Sequence, residues 1–320
     1  MRLVCHTFVM MDMKRIVLLL VFLCPTLCVA EDDLRVMFWN LENFFDYRDE
    51  RAADGEGKDD RVMSRKAFYS KCNQIAKTLL WAGGEYGMPD IIGVAEVENA
   101  FVMRQVLSST LLRKCGYRYL HYESADRRGI DVGLYYGSRC KIASKGKTPV
   151  VTSEGDTLAT RDMLWAVTTD GTAFVVCHHP SKFSGAKASA PKRKAAVESL
   201  CRIADSLSSA GHRIIVMGDF NDTPPSPVFG PLETRLTNMS EPHLRKKDGT
   251  IRYNGKWELI DMFWVSGGFE DKASMEILRP PFLMERDPRH GGVRPRRAYS
   301  GPRYTWGVSD HLPVYLVVKK

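Results

Sequence analysis

The sequence predicts an α/β fold in which β-sheets are covered by helices. From residue 31 onward, short runs rich in β-branched residues alternate with stretches whose apolar residues recur at a helical period. No internal repeat or low-complexity segment interrupts this alternation. A chain of 320 residues with 44% hydrophobic residues is also long enough to bury a sizeable core. Disordered, collagen-like and mini-protein architectures are therefore excluded.

Seven segments are predicted as strands because each is short, apolar and bounded by polar or turn-forming residues. They are Leu34–Asn40, Asp90–Ala95, Ile130–Tyr136, Ala173–Cys177, Arg213–Met217, Glu258–Val265 and Leu312–Val318. Two helices are predicted, over Ser64–Ala82 and Ser189–Ala210. Gly83 and Gly84 end the first helix, and Pro191 lies in the first turn of the second. A mixture of this kind implies layered packing of sheets and helices.

The first 30 residues are predicted to be a cleaved secretory signal, which leaves residues 31–320 as a single domain. Lys14 and Arg15 precede the apolar run Ile16–Leu23, and the small-residue exit Cys28–Ala30 follows it. Pro25 interrupts the run before it reaches the roughly 18 residues that a membrane-spanning helix needs, so no stable membrane anchor is expected. We therefore expect an exported protein, periplasmic or secreted. Lipoprotein anchoring is disfavoured because the residues before the signal-segment cysteines are not small.

The cysteines beyond the signal segment do not specify a disulfide pattern. They are Cys72, Cys115, Cys140, Cys177 and Cys201. Their number is odd and no CxxC spacing occurs, so no pairing follows from the residues. Export permits disulfides, and one bridge or two stay open, although buried free thiols are favoured for most of them.

Polar side chains stand where several of the predicted strands end. They are Asn40, Glu96, His178 with His179, Asp219 with Asn221, and Asp310 with His311 in the turn before the last strand. Polar residues delivered at strand ends can converge on one face of a sheet. Each of them alone also fits a structural explanation, such as a solvated loop for Glu96 or a side-chain-stabilised turn for Asp219. Their conjunction favours a site built from carboxylates, amides and imidazoles.

One ordered set of motifs carries a resemblance to a known family. The set is Asn40, Glu96, His178, the Gly-Asp-Phe-Asn of 218–221, Asp261 and the Ser-Asp-His of 309–311. In this order it resembles the endonuclease/exonuclease/phosphatase superfamily, the metal-dependent phosphoesterases related to pancreatic DNase, exonuclease III and neutral sphingomyelinases. The likeness spans almost all of 34–318, and the phrases NLENFFD, GIDVGLYY, HHPSK and SDHLPV look like those of its exported bacterial members. The resemblance implies a four-layer sandwich, two packed mixed β-sheets flanked by helices, with the site at one end.

The chemistry of this family explains the residue types. Hydrolysis of a phosphate ester brings water to an anion, so a hard cation and fixed donors must offset the charge. Mg²⁺ prefers oxygen ligands and keeps several waters, so Mg²⁺ is the expected cofactor, with Mn²⁺ or Ca²⁺ as alternatives. The metal-binding residues that the resemblance implies are Glu96 as principal ligand, Asn40, Glu42 and Asp310. Asp219 and Asn221, which alternate along an extended segment, are expected to orient the attacking water and the scissile phosphate.

The resemblance also assigns the histidines. His311 is expected to act as acid and base, with Asp261 holding its tautomer and stabilising the imidazolium. His178 matches the second histidine of the DNase-like and sphingomyelinase-like branches, where it would stabilise the phosphate or the leaving group. Because adjacent strand residues point to opposite faces, His179 is not expected to enter the site beside His178.

Basic residues are concentrated shortly before the last motif. The chain has 46 Lys+Arg against 38 Asp+Glu, a net charge of +8, which favours anionic partners without requiring them. Residues 279–303 contain seven Arg and two acids, a local net charge of +5. Arginine suits bidentate phosphate contacts better than lysine does, so Arg296, Arg297 and also Lys182 are predicted to contact substrate phosphate. The alternative for the arginine segment is a solvated loop with ordinary ion pairs.

These observations predict an exported metal-dependent phosphodiester hydrolase, with a nuclease acting on DNA or RNA as the first hypothesis and nucleic acid as its substrate. The Gly-Asp-Phe-Asn-Asp-Thr-Pro phrase counts against the inositol-phosphatase branch, which follows Gly-Asp with Asn-Tyr-Arg or similar. A sphingomyelinase-like or small-molecule phosphodiesterase or phosphatase is the alternative, and Pro280–Met284 is its one candidate membrane-entering tip. A catalytically inactive binding protein is a further alternative, disfavoured because Glu96, Asp261 and His311 are all retained. A monomer is expected, and no protein partner is predicted.

Overall fold

Two six-stranded β-sheets pack face to face in the computed structural model, which describes residues 33–48, 63–182, 185–301 and 303–320. The strands, numbered in chain order, are β1 (Leu34–Phe44), β2 (Ile91–Val97), β3 (Arg118–His121), β4 (Asp131–Tyr136), β5 (Ile142–Thr148), β6 (Met163–Thr168), β7 (Thr172–His178), β8 (Arg213–Asp219), β9 (Thr237–Asn238), β10 (Ile251–Tyr253), β11 (Lys256–Glu258), β12 (Asp261–Val265), β13 (Ala273–Ile277), β14 (Met284–Arg286), β15 (Val293–Pro295), β16 (Tyr299–Ser300), β17 (Arg303–Tyr304) and β18 (Val314–Val318). The helices are α1 (Arg65–Tyr86), α2 (Ala100–Ser108), α3 (Ala186–Ser209), α4 (Gly230–Glu233) and α5 (Glu241–Arg245).

Both sheets are mixed. The first has the strand order β13-β18-β1-β2-β4-β3, and the second has the order β5-β6-β7-β8-β12-β9. The β1–β2 and β7–β8 pairs are parallel, and the other ladders of these two sheets are antiparallel. Three two-stranded ribbons, β10-β11, β14-β15 and β16-β17, lie outside the sheets. The architecture confirms the predicted α/β sandwich of two mixed sheets with helices.

Alternation along the strands builds the layers. On β7, Phe174 and Val176 point into the core between the two sheets, whereas Val175 and Cys177 pack against α3 on the outer side. Strands β8 and β12 divide their side chains in the same way. Helices α1 and α2 supply apolar residues such as Phe68 to the outer face of the first sheet. Burial on both faces explains why these central strands are continuously apolar in the sequence.

Helix α1 begins as predicted but ends later. Ser64 Oγ accepts a hydrogen bond from the Ala67 amide at 3.2 Å, which caps the first turn. The predicted stop at Gly83 was wrong, because the helix continues to Tyr86 and terminates at Gly87, whose φ is 91°. A Cβ at position 83 would lie 2.1 Å from Met88 Sδ. Glycine at this helical position therefore leaves room for the Met88 side chain, which packs back against the helix.

Helix α3 also differs from its predicted limits. It begins at Ala186, behind Gly185 with φ 96°, and Ser189 is therefore already in its first turn. The predicted start at Ser189 was wrong, and Pro191 lies in the second turn. The Ser189 hydroxyl donates to the Gly185 carbonyl at 2.7 Å, which ties the start of the helix together.

Three earlier expectations concern the chain as a whole. Residues Asp33–Lys319 form one compact unit, whereas the predicted signal segment and the 31–320 domain boundary involve residues outside the described part. The five cysteines beyond residue 30 are free thiols, so the disulfides that the sequence left open are not formed. Within the described residues, every helix is too short or too polar to cross a membrane.

Candidate active site

The ends of β7 and β8 and the start of β12 place three polar residues in one row. His178 is paired with Asp219 across the parallel β7–β8 ladder, and Asp219 is paired with Asp261 across the antiparallel β8–β12 ladder. Each of the three continues the face of its strand that points toward the first sheet, because side chains alternate along a strand. His178 thus follows Phe174 and Val176, which lie in the core between the sheets. A buried polar row closes this end of the core.

The register also separates the two adjacent histidines. His179 lies on the opposite face, where its ring packs edge-on against Phe220 with 4.8 Å between the ring centroids. Its carbonyl accepts hydrogen bonds from Arg161 Nη2 at 2.7 Å and Asn221 Nδ2 at 3.0 Å. His178 is therefore the histidine that enters the site. His179 lies outside it, and its carbonyl binds the side chains of Arg161 and Asn221.

His311 stands over this row and is paired with Asp261. Its Nδ1 lies 2.8 Å from Asp261 Oδ2, and its Nε2 lies 3.8 Å from Asp219 Oδ2. Burial alone would lower the pKa of His311, but the carboxylates of Asp261, Asp219 and Asp310 outweigh burial and raise that pKa well above its usual range. The imidazolium form is therefore stabilised, with Nε2 as the nitrogen that faces the other site residues.

Asp219 is the centre of the hydrogen-bond network. Its Oδ1 accepts a hydrogen bond from the backbone amide of Asn221 at 2.8 Å, and its Oδ2 accepts one from Asn40 Nδ2 at 3.0 Å. His178 Nε2 lies 3.5 Å from the same Oδ2. Burial, together with the charge of Asp261, raises the pKa of Asp219 to about 7, although His311 and the two hydrogen bonds oppose the shift. A carboxylate of this kind can exchange a proton near neutral pH.

His178 has the opposite electrostatic environment from His311. Burial and the nearby guanidinium groups of Arg161 and Arg128 lower its pKa well below the usual range. The ring is therefore neutral, while His311 carries a charge. Two histidines whose environments separate their pKa values in this way can serve different roles in one reaction.

Glu96 and Asn40 reach the site from the first sheet. Glu96 Oε2 accepts the Asn43 amide at 2.7 Å, and its Oε1 lies 3.8 Å from His178 Nε2. The backbone of Glu96 is left-handed, with φ 62°, at an irregularity in the β2–β4 ladder. Asn40 Oδ1 accepts the Glu42 amide at 2.9 Å where the β1–β2 register shifts. Left-handed backbone of the kind seen at Glu96 is uncommon for residues other than glycine, and it concentrates at functional sites.

These oxygens fit a hard divalent cation. Glu96 supplies a carboxylate, Asn40 supplies an amide carbonyl, and Mg²⁺ is typically bound by one or two carboxylates with water completing its shell. Asp219, Asp261 and His311 also bring one ligand atom each to within 4.8 Å of one another. In that group, however, the contact between His311 Nδ1 and Asp261 is already a hydrogen bond. Glu96 and Asn40 could therefore hold a divalent ion, whereas the His311–Asp261 contact has the geometry of a proton-transfer pair.

Glu42 links β1 to the arginine segment. Its carboxylate accepts the backbone amides of Ala298 at 2.5 Å and Tyr299 at 3.2 Å, and its carbonyl accepts Lys71 Nζ at 2.7 Å. Burial, followed by the charge of Asp310, raises the pKa of Glu42 to about 8. Its role as a metal ligand stays a prediction, whereas its contacts hold residues 298–299 in place.

Asp310 and Arg297 form the rim on this side. Arg297 Nη2 donates to Asp310 Oδ2 at 2.8 Å, and Arg297 Nε lies 3.8 Å from Glu42 Oε1. Asp310 Oδ1 lies 3.9 Å from His311 Nε2. Arg297 is therefore paired with two carboxylates at the rim, and its contact with substrate phosphate stays a prediction.

Other members of the predicted basic set are paired farther out. Arg279 binds Asp248, and Arg294 Nε lies 2.8 Å from Glu285 Oε1, as the solvated-loop alternative expected. Lys182 Nζ donates to Asp222 Oδ1 at 2.8 Å. The Arg296 carbonyl accepts a hydrogen bond from the Val308 amide at 2.9 Å, and the Arg296 amide donates to the Leu283 carbonyl at 2.7 Å. The backbone of Arg296 therefore joins Leu283 to the loop that carries Asp310.

Sequence reasoning missed several residues that organise the site. Arg128 Nη2 lies 3.7 Å from Glu96 Oε1, and Arg161, buried behind it, donates to Asp126 Oδ2 at 3.0 Å. Arg128 could have been found from its position just before the predicted strand Ile130–Tyr136. Because this strand runs antiparallel to β2, it starts beside the end of β2, where Glu96 lies. Ser309 is also structural here, because its hydroxyl donates to the Asn40 carbonyl at 2.6 Å and accepts the His311 amide at 3.0 Å.

A mixed-sheet sandwich with carboxylates, amides and two unlike histidines at one end defines the class of metal-dependent phosphoesterases. The model of the endonuclease/exonuclease/phosphatase family matches residues 35–320, and the chain belongs to this family. Members of the family hydrolyse phosphoester bonds and depend on divalent metals. A search of curated proteins finds no match to this chain.

Solved structures show the same fold. A Bacteroides thetaiotaomicron protein of the family is 20% identical, with a TM-score of 0.56 over 90% of this chain and 98% of its own. A mannosyl-6-phosphatase of the same organism is 20% identical, with a TM-score of 0.56 over 89% of this chain and 99% of its own. The human Nocturnin catalytic domain is 16% identical, with a TM-score of 0.57 over 89% of this chain and 93% of its own. At these identities the likeness concerns the fold alone.

Proposed function

We propose that this protein is an exported, Mg²⁺-dependent phosphodiester hydrolase whose substrate is nucleic acid. The observation that carries the hydrolase is the charged His311–Asp261 pair beside Asp219, opposite the oxygen donors of Glu96 and Asn40. Substrate choice is supported by the local net charge of +5 over residues 279–303, a segment that includes Arg297 at the rim.

The residues suggest a division of labour in catalysis. A divalent cation held by Glu96 and Asn40 would offset the negative charge of the substrate phosphate. Asp219, fixed by the Asn221 amide, accepts the proton of the attacking water. His311, kept protonated by Asp261, donates its Nε2 proton to the leaving oxygen. His178, held neutral, contributes a hydrogen bond to the phosphate without adding charge.

A phosphomonoesterase is the second candidate. Arg128 places a guanidinium nitrogen 3.7 Å from Glu96 Oε1, and this added positive charge suits the dianion of a terminal phosphate. One of the structures that share this fold is a mannosyl-6-phosphatase. A terminal sugar phosphate is therefore included among the substrates to be tested.

A substrate panel tests the proposal. The purified chain is assayed on plasmid DNA, single-stranded DNA, RNA, p-nitrophenyl phosphate, mannose 6-phosphate and sphingomyelin, with Mg²⁺, Mn²⁺, Ca²⁺ or EDTA. Nucleic-acid cleavage that disappears in EDTA and in Glu96→Ala supports the nuclease. Turnover confined to the monoesters replaces it with the second candidate, and turnover confined to sphingomyelin points to the lipid alternative. Glu276→Ala, on exposed positions of β13, is the matched control.

Export is a separate part of the proposal. It is supported by the layout of residues 1–30, with Lys14 and Arg15 before an apolar run and a small-residue exit. Expression in a bacterial host followed by mass determination tests it. A mature chain that begins near residue 31 in the periplasm or medium supports export, whereas an intact chain retained in the cytoplasm contradicts it.

A further inference from the structure

Three side chains of metal-ligand type meet at the base of the loop between β3 and β4, outside the candidate active site. His121 is the last residue of β3, Asp131 is the first residue of β4, and Glu123 follows two residues after His121. His121 is paired with Gly133 in the β3–β4 ladder. Because side chains two apart share a face, His121 and Asp131 lie on the same side of the sheet.

The three side chains are close enough to share one ion. His121 Nε2 lies 3.4 Å from Asp131 Oδ2. Glu123 approaches the other ring nitrogen, with its Oε1 3.9 Å from His121 Nδ1. One ligand atom of each residue lies within 4.8 Å of the other two. The Ser124 hydroxyl donates to Asp131 Oδ1, so the second oxygen of Asp131 is the one directed at the imidazole.

His121 supplies an independent observation. Its side chain is 3% exposed and that of Asp131 is 4% exposed, so both are withdrawn from solvent. Within the described ranges, Nε2 of His121 has no hydrogen-bond partner, despite its approach to Asp131. A buried polar atom without a partner is destabilising unless something else coordinates it.

A metal ion accounts for this spacing. Zinc binds imidazole nitrogen and carboxylate oxygen at about 2.0–2.2 Å, and two such bonds at a tetrahedral angle separate the ligand atoms by about 3.4 Å. The distance between His121 Nε2 and Asp131 Oδ2 is 3.4 Å. We propose that His121, Asp131 and Glu123 form a second metal site, for a zinc-class transition-metal ion, with water as the fourth ligand. The imidazole favours such an ion over Mg²⁺.

The position of the site gives it a structural purpose. The loop of residues 122–130 carries Asp126, which accepts Arg161 Nη1 at 3.0 Å and the Arg128 amide at 3.0 Å. Arg128 in turn lies beside Glu96. An ion held by His121 and Asp131 joins the two stems of this loop, and so it fixes the segment that presents Arg128 to the active site. The inference does not depend on which phosphoester the enzyme cleaves.

Zinc stoichiometry tests the proposal. The purified full chain is stripped with a chelator, dialysed and titrated with Zn²⁺ by calorimetry, and the bound metal is measured by elemental analysis. His121→Gln is expected to bind one equivalent fewer than the wild type. His212→Gln, which removes a histidine from the turn between α3 and β8, is the matched control and keeps the wild-type stoichiometry.

A second variant guards against loss of folding in the first. Glu123 has a side chain that is 72% exposed, so Glu123→Gln leaves the core intact. We expect it to weaken Zn²⁺ binding at this site at least as much as loss of an outer-shell partner does, about 10- to 100-fold. Equal stoichiometry in wild type and folded His121→Gln, or unchanged affinity in Glu123→Gln, overturns the site. Because both readouts measure binding, failure here is distinct from failure of the proposed activity.

Discussion

His311 Nδ1 lies 2.8 Å from Asp261 Oδ2, and this contact joins the loop before β18 to the first residue of β12. The backbone of His311 is held at both its carbonyl and its amide. Trp39 Nε1 donates to the His311 carbonyl at 2.9 Å, and Ser309 holds the His311 amide. The imidazole is thus fixed with Nδ1 toward Asp261 and Nε2 toward Asp219. Its ring orientation is set by groups that lie far apart in the sequence.

The pair predicts a non-additive loss of activity. Either His311→Ala or Asp261→Asn is expected to lower kcat by about 10²-fold or more, because each removes the protonated imidazole or its orientation. The two residues act as a unit, so the double variant should be no slower than His311→Ala alone. Steady-state kinetics on the best substrate of the panel measures this. Losses that multiply in the double variant would show that the residues act independently.

Glu96 governs the metal requirement. Glu96→Gln keeps the shape of the side chain and the hydrogen bond from Asn43 but removes the charge that attracts a cation. The concentration of Mg²⁺ needed for half-maximal rate is expected to rise by about tenfold or more, with turnover recovering in part at high Mg²⁺. A metal titration of the rate checks this against Glu276→Gln. A variant with the wild-type Mg²⁺ dependence would remove Glu96 from the metal site.

The arginine rim predicts a change in salt dependence. The double variant Arg296→Ala, Arg297→Ala is expected to raise KM for DNA and to lower the slope of log KM against log salt by roughly 1 to 2, since each phosphate contact contributes about 0.9. Arg235→Ala, which removes the partner of Asp205 on the outer helical side, serves as the control. If the double variant keeps the wild-type slope, the segment is a solvated loop.

His179 predicts a pH dependence of stability. Burial, then the charges of Arg161 and Arg193, lower the pKa of His179 from 6.5 to about 3. Between these values the unfolded chain takes up a proton that the folded chain does not. As the pH falls from 6.5 toward 3, His179 therefore lowers the free energy of unfolding by about 1.4 kcal/mol per pH unit. Above pH 6.5 this loss is absent, and the stability that depends on a neutral His179 is fully present.

Urea denaturation across that pH window checks the sign. His179→Leu keeps an apolar contact with Phe220 but cannot titrate, so its unfolding free energy should fall less steeply than that of the wild type. His212→Leu should retain the wild-type slope. Parallel curves for wild type and His179→Leu would mean that His179 does not resist protonation in the folded state.

The sequence predicted the central strands well because burial leaves a strong signal. Strands β7, β8 and β12 are covered on both faces and read as continuous apolar runs ending in polar residues. Strand β5, with the sequence IASKGKT, was missed because it is an edge strand with exposed lysines and a glycine. Strand β5 forms because it pairs with β6, and the composition of β5 alone does not indicate that pairing.

Within the site, local pattern and tertiary contact divide in the same way. The polar residues at strand ends follow from the alternation of the strands, which is visible in the sequence. Lys71 does not: it sits on an amphipathic helix, yet it is buried and its Nζ reaches the Glu42 carbonyl at 2.7 Å. Arg128 and Arg161 likewise become neighbours of the site only when loops from different strands pack together.

Hydrolysis of bis-(p-nitrophenyl) phosphate tests the central claim most directly, because this diester needs no substrate-specific contact. We predict turnover by the wild-type chain with Mg²⁺, its loss in EDTA, and rates lowered about 10²-fold or more in Glu96→Ala and His311→Ala. Glu276→Ala should match the wild type. Equal turnover in wild type, Glu96→Ala and His311→Ala, or turnover that persists in EDTA, would contradict the site described for this protein.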